Sequence, residues 1–162
     1  RYLEGYGPAG PEDFASWSGL SPADAREGWR GVQEKGDLEE VRVGDRTLWM
    51  PGHRPVPEGE PSPPAVSLLP AFDTLVLGYF YREHVVPARY RDRVYHGGQT
   101  VPVVLVNGAA AGTWRYDRRG KTLDVTVTPF ERFDAATGDL IREEAEDVGR
   151  IFGLRTEVSF LT

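Results

Sequence analysis

Cysteine is absent from the 162 residues, so neither a disulfide nor a thiolate metal site is available. The three histidines, His53, His84 and His96, are widely spaced with no HxH or HxxxH pair, and no metal site is expected from them. No apolar run approaches the ~20 residues of a membrane span, and no signal peptide is visible. Those two absences predict a cytoplasmic protein with no membrane partner. Methionine occurs once, at Met50, and the chain opens on Arg1. The expectation is therefore a piece of a larger protein, with domains of the same chain upstream. P-loop, GxSxG, HExxH and GxGxxG patterns are all missing, so the residues suggest neither a cofactor nor local catalytic machinery.

Positive charge is scarce overall, with a net charge of −6, which argues against a strong non-specific grip on phosphate. Its distribution is uneven. Residues 82–121 hold eight basic against three acidic residues, whereas residues 1–66 hold seven against twelve and residues 122–162 four against nine. A cationic face drawn from the middle segment could meet a nucleic acid.

Residues 1–51 read as three short helices and a hairpin. Arg1 to Gly7 looks like a helix end closed by a C′ glycine. Pro11 suits a first turn, with Glu12 and Asp13 near the positive helix terminus. Ser21-Pro22-Ala23-Asp24 supplies an N-cap, a proline at N1 and an acid at N3 for the next helix. Val41, Val43, Leu48 and Met50 alternate on two strands around Gly44-Asp45. That order is the winged helix-turn-helix order, predicting a winged-helix domain over 1–51. Residues 52–66 contain five prolines and read as a linker. Residues 67–162 read as a β-rich, antiparallel, barrel-like domain with a packed C-terminal helix, an α+β class overall. In it, Asn107-Gly108 marks a hairpin, Leu123, Val125 and Val127 alternate on a strand, and a helix is expected from Leu140 to about Gly153.

The constellations point to binding rather than bond-breaking. Glu143, Glu144, Glu146 and Asp147 read as a solvated helix face. Asp73, inside an apolar stretch, looks like a buried acid that serves as a structural cap or pairs with Arg82. A pocket formed by Asp73, Arg82 and His84 would be its enzymatic alternative. In the helix that would read DNA, Asp24 and Glu27 offset Arg26 and Arg30, so base reading there is doubtful. The stronger cationic candidates are Arg82, Arg89, Arg91 and Arg93, interleaved with Tyr79, Tyr81, Tyr90 and Tyr95. Arginine with tyrosine suits phosphate contact and base stacking. Arg115, Arg118, Arg119 and Lys121 crown a second projecting turn, and Arg42 and Arg46 lie in the wing.

Four stretches carry a family resemblance: Tyr6-Gly7-Pro8-Ala9, Phe14-Ala15 with Trp17-Ser18-Gly19-Leu20, Leu68 to Asp73, and Gly112-Thr113-Trp114-Arg115. With their spacing, the chain resembles the bacterial winged-helix DNA-binding-domain proteins related to the AlkZ/YcaQ DNA glycosylases. The resemblance implies the last winged helix and C-terminal β domain of such a protein. It also implies double-stranded DNA as partner and a longer parent that would remove alkylated or crosslinked bases. Those glycosylases carry a Gln-hydrophobic-Gln or Gln-hydrophobic-Asp pair, and neither Gln33 nor Gln99 stands in such a pattern. The chain itself is thus expected to supply DNA contacts and scaffold. A transcriptional regulator, with an effector-binding or dimerising β domain, is the alternative.

Overall fold

A computed structural model describes residues 1–53 and 64–161; the proline-rich linker expected at 52–66 lies mostly outside them. The chain divides into two compact units, Arg1–Glu60 with Thr74–Arg82, and Pro61–Asp73 with Glu83–Thr162. Thr74–Arg82, read from sequence as part of the β-rich half, groups instead with the first unit.

The first unit has helices α1 (Tyr2–Tyr6), α2 (Pro11–Ser18) and α3 (Pro22–Gln33), a hairpin of β1 (Leu38–Val43) and β2 (Arg46–Pro51), and the short α4 (Thr74–Leu77). Each boundary has a local cause. Gly19 ends α2 in the left-handed conformation at φ 74°. Ser21 Oγ accepts from the Asp24 amide to open α3. Gly7, expected as a left-handed cap, is extended at φ −70°, ψ 148°, because the residue before a proline is pushed from the helical region. In the hairpin Leu38 faces Pro51 and Val43 faces Arg46. Rings fill the space between the helices: Tyr2 lies 5.2 Å from Phe14 and 5.1 Å from Trp17, and Phe14 lies 6.2 Å from Trp29. Trp29 Nε1 is buried without a hydrogen bond. Its ring forms a T-shaped pair with Trp49 at 6.0 Å, an arrangement that suits N–H···π contact.

The second unit is built on a sheet in the order β3 (Val66–Leu69), β6 (Val103–Val106), β7 (Ala109–Arg119), β8 (Thr122–Pro129) and β9 (Arg155–Phe160). Between β3 and β6 run a 3-10 turn (Ala88–Tyr90), α5 (Arg91–Val94) and the two-residue strands β4 (Tyr95–His96) and β5 (Gln99–Thr100). Asn107 and Gly108 both have positive φ, 52° and 81°, as a tight β6–β7 turn requires. The long helix α6 (Ala135–Phe152) covers one face, with Ile141 and Ala145 fully buried against Leu123, Val125 and Val127.

Two expectations are corrected here. The sheet is open rather than barrel-like: β3 and β9 are its two edges. Nor is it wholly antiparallel, since β8 and β9 run parallel. The reason is α6, a helical crossover that returns the chain to the same end of the sheet, as parallel pairing demands. α6 also begins five residues before the expected Leu140. The Asp134 carboxylate caps it by accepting from the Thr137 amide at 2.8 Å, and Gly138 is absorbed as a buried helical residue. Among the described residues no helix is long and apolar enough to cross a membrane.

Candidate nucleic-acid interface

The 3-10 turn and α5 place Arg89, Arg91 and Arg93 at one end of β8. Pro87 and Val85–Val86 anchor the turn's approach, with both valines buried. Arg89 bonds Glu131 Oε1 at 3.3 Å, and its guanidinium lies 4.6 Å from the Tyr90 ring centre. The Tyr90 hydroxyl donates to the same carboxylate, and its ring packs 4.4 Å from Phe130. The Tyr90 hydrogen bond and then Arg89 hold the Glu131 carboxyl below its usual range, and contact with Tyr90 first, Glu131 later, raises Arg89. Arg93 donates to Pro129 O at 3.3 Å and lies 4.5 Å over Phe130. Arg91 is exposed, and so is Arg132, which follows Glu131 directly and was not singled out from sequence. A charge count confined to residues 82–121 could not find it, because the sheet brings it in from the end of β8.

At the opposite end of β8 sits the β7–β8 turn, and pleating divides the cations expected there. Trp114, Tyr116 and Arg118 face α6: Tyr116 lies 5.4 Å from Phe152, and Arg118 stacks over Phe152 at 4.0 Å. Arg115 and Arg119 take the other face, where Arg119 pairs with Asp124 at 3.0 Å. Asp117 stands opposite Asp124, which stands opposite Glu157 on β9. That face is therefore of mixed sign, with Arg115 and Arg119 exposed on it and Lys121 exposed in the turn.

The remaining candidates lie in the first unit and are already engaged in its fold. Arg82 Nε donates to Tyr79 O at 3.0 Å. Arg46 is 3.7 Å from Asp13 Oδ2 and lies 3.9 Å over the Tyr81 ring. Arg42 bends back to Gly44 O at 3.4 Å. In α3, Arg26 pairs with Glu12 at 3.2 Å.

Among the described residues the acid that the fold buries is Asp13, fully inaccessible, whereas Asp73 is only half-buried. Asp13 Oδ2 accepts from the Gly10 amide at 2.9 Å, and Oδ1 accepts from the Phe80 and Tyr81 amides at 3.0 and 3.3 Å. It thus caps α2 and clamps the segment after α4. The signal was the N3 position, but the partners lie 67 and 68 residues away and no local pattern shows them. Burial first, then the Asp13 charge, pushes the Tyr2 and Tyr79 phenols above their ordinary 10.0.

The enzymatic alternative divides between the units: Asp73 and His84 fall in the second, Arg82 in the first. A cavity of about 790 Å³ in the first unit is lined by other residues, among them Tyr2, Phe14, Trp29, Asp37 and a Glu4–His53 pair at 3.4 Å. Among the described residues no cluster of three or more His, Asp or Glu could hold a metal ion.

By fold this is an α+β protein with a mixed five-stranded sheet, whose exposed arginines are the chemistry a polyanion would meet. The chain belongs to the AlkZ-like family: the model described as DNA glycosylase AlkZ-like matches residues 1–151. It is similar to the solved structure of Streptomyces sahachiroi DNA glycosylase AlkZ, with 27% identity and a TM-score of 0.78. That likeness covers 99% of this chain and 43% of AlkZ, so the chain spans under half the length of its relative. No curated protein matches it.

Proposed function

We propose that this chain is a DNA-binding and scaffolding part of a glycosylase-type repair protein, acting on double-stranded DNA. In this reading the whole protein removes alkylated or crosslinked bases, and these residues hold the duplex rather than break the glycosidic bond. The observation that carries it is family membership joined to exposed cations without a partner among the described residues, Arg91 and Arg132 foremost. The three helices and hairpin of the first unit act as a winged helix, in a domain centred on residues 1–51, used for packing rather than base reading. The acid-balanced surface of α3 and the Arg26–Glu12 pair support that restriction, and they disfavour a regulator that reads a site through α3. Residues 67–162 supply the phosphate contacts, through Arg89, Arg91, Arg93 and Arg132 at one end of β8 and Arg115, Arg118, Arg119 and Lys121 toward the other.

The test is fluorescence anisotropy with a labelled duplex across a salt series. Replacing Arg91 and Arg132 by Ala should weaken binding and flatten the slope of log K against log salt by roughly 2, at about 0.9 per phosphate contact. Arg89→Ala should cost less, because Glu131 already neutralises that side chain. Unchanged affinity and slope in the Arg91/Arg132 variant would sink the reading.

A further inference from the structure

We propose that Phe72 is a base-stacking contact: an exposed ring, on a turn bonded to the β4–β5 hairpin that follows α5, that receives an unstacked nucleobase. The inference rests on the DNA-binding reading above and deepens it.

Phe72 is 54% exposed and has φ 60°, a left-handed conformation in which a bulky residue is an outlier. Glycine or asparagine would occupy that position with less strain, and neither would leave a large apolar ring in water. Two buried side chains fix the turn that carries it. On one flank the Trp114 indole donates to Leu69 O at 2.8 Å. On the other, the Phe72 amide donates to Thr100 Oγ1 at 2.6 Å. Thr100 is 4% exposed and Trp114 7%. Buried polar groups of the second unit are thus spent on presenting a surface aromatic, and strain so maintained clusters at functional positions.

The surroundings select the ligand. Thr100 pairs with Tyr95 across the β4–β5 hairpin, and the Val101 amide returns to Val94 O at 3.1 Å. The hairpin is therefore rooted directly on α5, which carries Arg91 and Arg93. An exposed aromatic ring on the same unit as exposed arginines is the combination by which proteins hold unpaired bases: stacking on the ring, phosphate on the cations. A phenylalanine can equally enter a weakened base step as a wedge. Both ligands are nucleobases freed from full stacking, such as occur at a mismatch or lesion.

The experiment uses the whole chain and two labelled duplexes, one fully paired and one with a central mismatch containing 2-aminopurine. Affinities are measured across a salt series for wild type, Phe72→Ala, Phe72→Gly, Phe72→Trp and Arg91→Ala/Arg93→Ala. Loss of one stacking contact should weaken Phe72→Ala and Phe72→Gly about 5- to 100-fold on the mismatched duplex, with the salt slope unchanged. Phe72→Trp should retain binding and the change in 2-aminopurine emission. Phe72→Gly relieves the backbone, so its thermal midpoint should not fall below that of Phe72→Ala. If both truncations bind the mismatch as wild type does while the arginine variant is weakened, the stacking role is overturned and the DNA-binding reading stands. If wild type binds neither duplex, both fail.

Discussion

Asp13 shows how one side chain can hold a unit together. Its carboxylate is fully buried, accepts three amides and lies near Arg46. Asp13→Ala would leave those donors without an acceptor, at a cost of about 3 kcal/mol. Asp13→Asn, keeping one oxygen, should cost less. Urea denaturation measures both, and an Ala variant within about 1 kcal/mol of wild type would refute the clamp. Burial of two phenols, with this carboxylate second, sets an alkaline limit. Tyr2 and Tyr79 have folded pKa values raised above 10.0, by burial first and Asp13 second. Stability from these phenols is therefore complete below pH 10, where both states are protonated. It falls as pH rises further, because the unfolded chain ionises first. Thermal melts should show the midpoint dropping above about pH 10, and Tyr79→Phe should blunt that drop. A midpoint flat from pH 9 to 11 would contradict it.

Elements with their own punctuation were readable from sequence, and those depending on remote partners were not. The start and end of α2 and the start of α3 follow from Pro11, Gly19 and Ser21, each acting within three residues. The β6–β7 turn follows from Asn107-Gly108. The pairing of β8 with β9 does not, because it depends on α6 spanning the intervening chain, and alternation in β9 is the same whichever way it runs. The first turn of α6 is hidden from the sequence because Gly138 resembles a breaker, whereas it is buried inside the helix under the Asp134 cap. Gly149, another helical glycine, is required for the opposite reason: closeness. A Cβ there would lie 2.0 Å from Thr156 Oγ1 and 2.9 Å from Leu154 O, where β9 leaves the helix. Gly149→Ala, although favourable to an isolated helix, should destabilise by roughly 1–3 kcal/mol through overpacking. Gly149→Ala/Thr156→Ala, which removes the hydroxyl, tests whether a side chain or the backbone is the obstacle. A stabilised single variant would show that the helix can shift freely.

At the scale of the whole molecule, the net charge of −6 conceals where cations are free to act. The candidate arginines were legible as a middle segment, but their division was not, since pairing with Glu131 and Asp124 and stacking on Phe152 involve residues far along the chain. In the second unit the Arg91–Arg132 end and the Lys121 end are separated by the eight residues of β8, about 23 Å at ~3.3 Å per residue. Phosphates on one strand advance ~3.4 Å per step along the duplex axis, so that length corresponds to about seven base pairs. A duplex contacted at both ends must therefore be at least that long. Arg119→Ala/Lys121→Ala should weaken binding to a 16-base-pair duplex and flatten its salt slope by about 1, carried mostly by Lys121 because Asp124 already neutralises Arg119. It should leave affinity for a five-base-pair hairpin stem unchanged, since a stem seated on Arg91 and Arg132 stops short of the β7–β8 turn. Equal losses on both lengths would mean that the two ends bind separately, and no loss on either would confine DNA contact to the Arg91–Arg132 end.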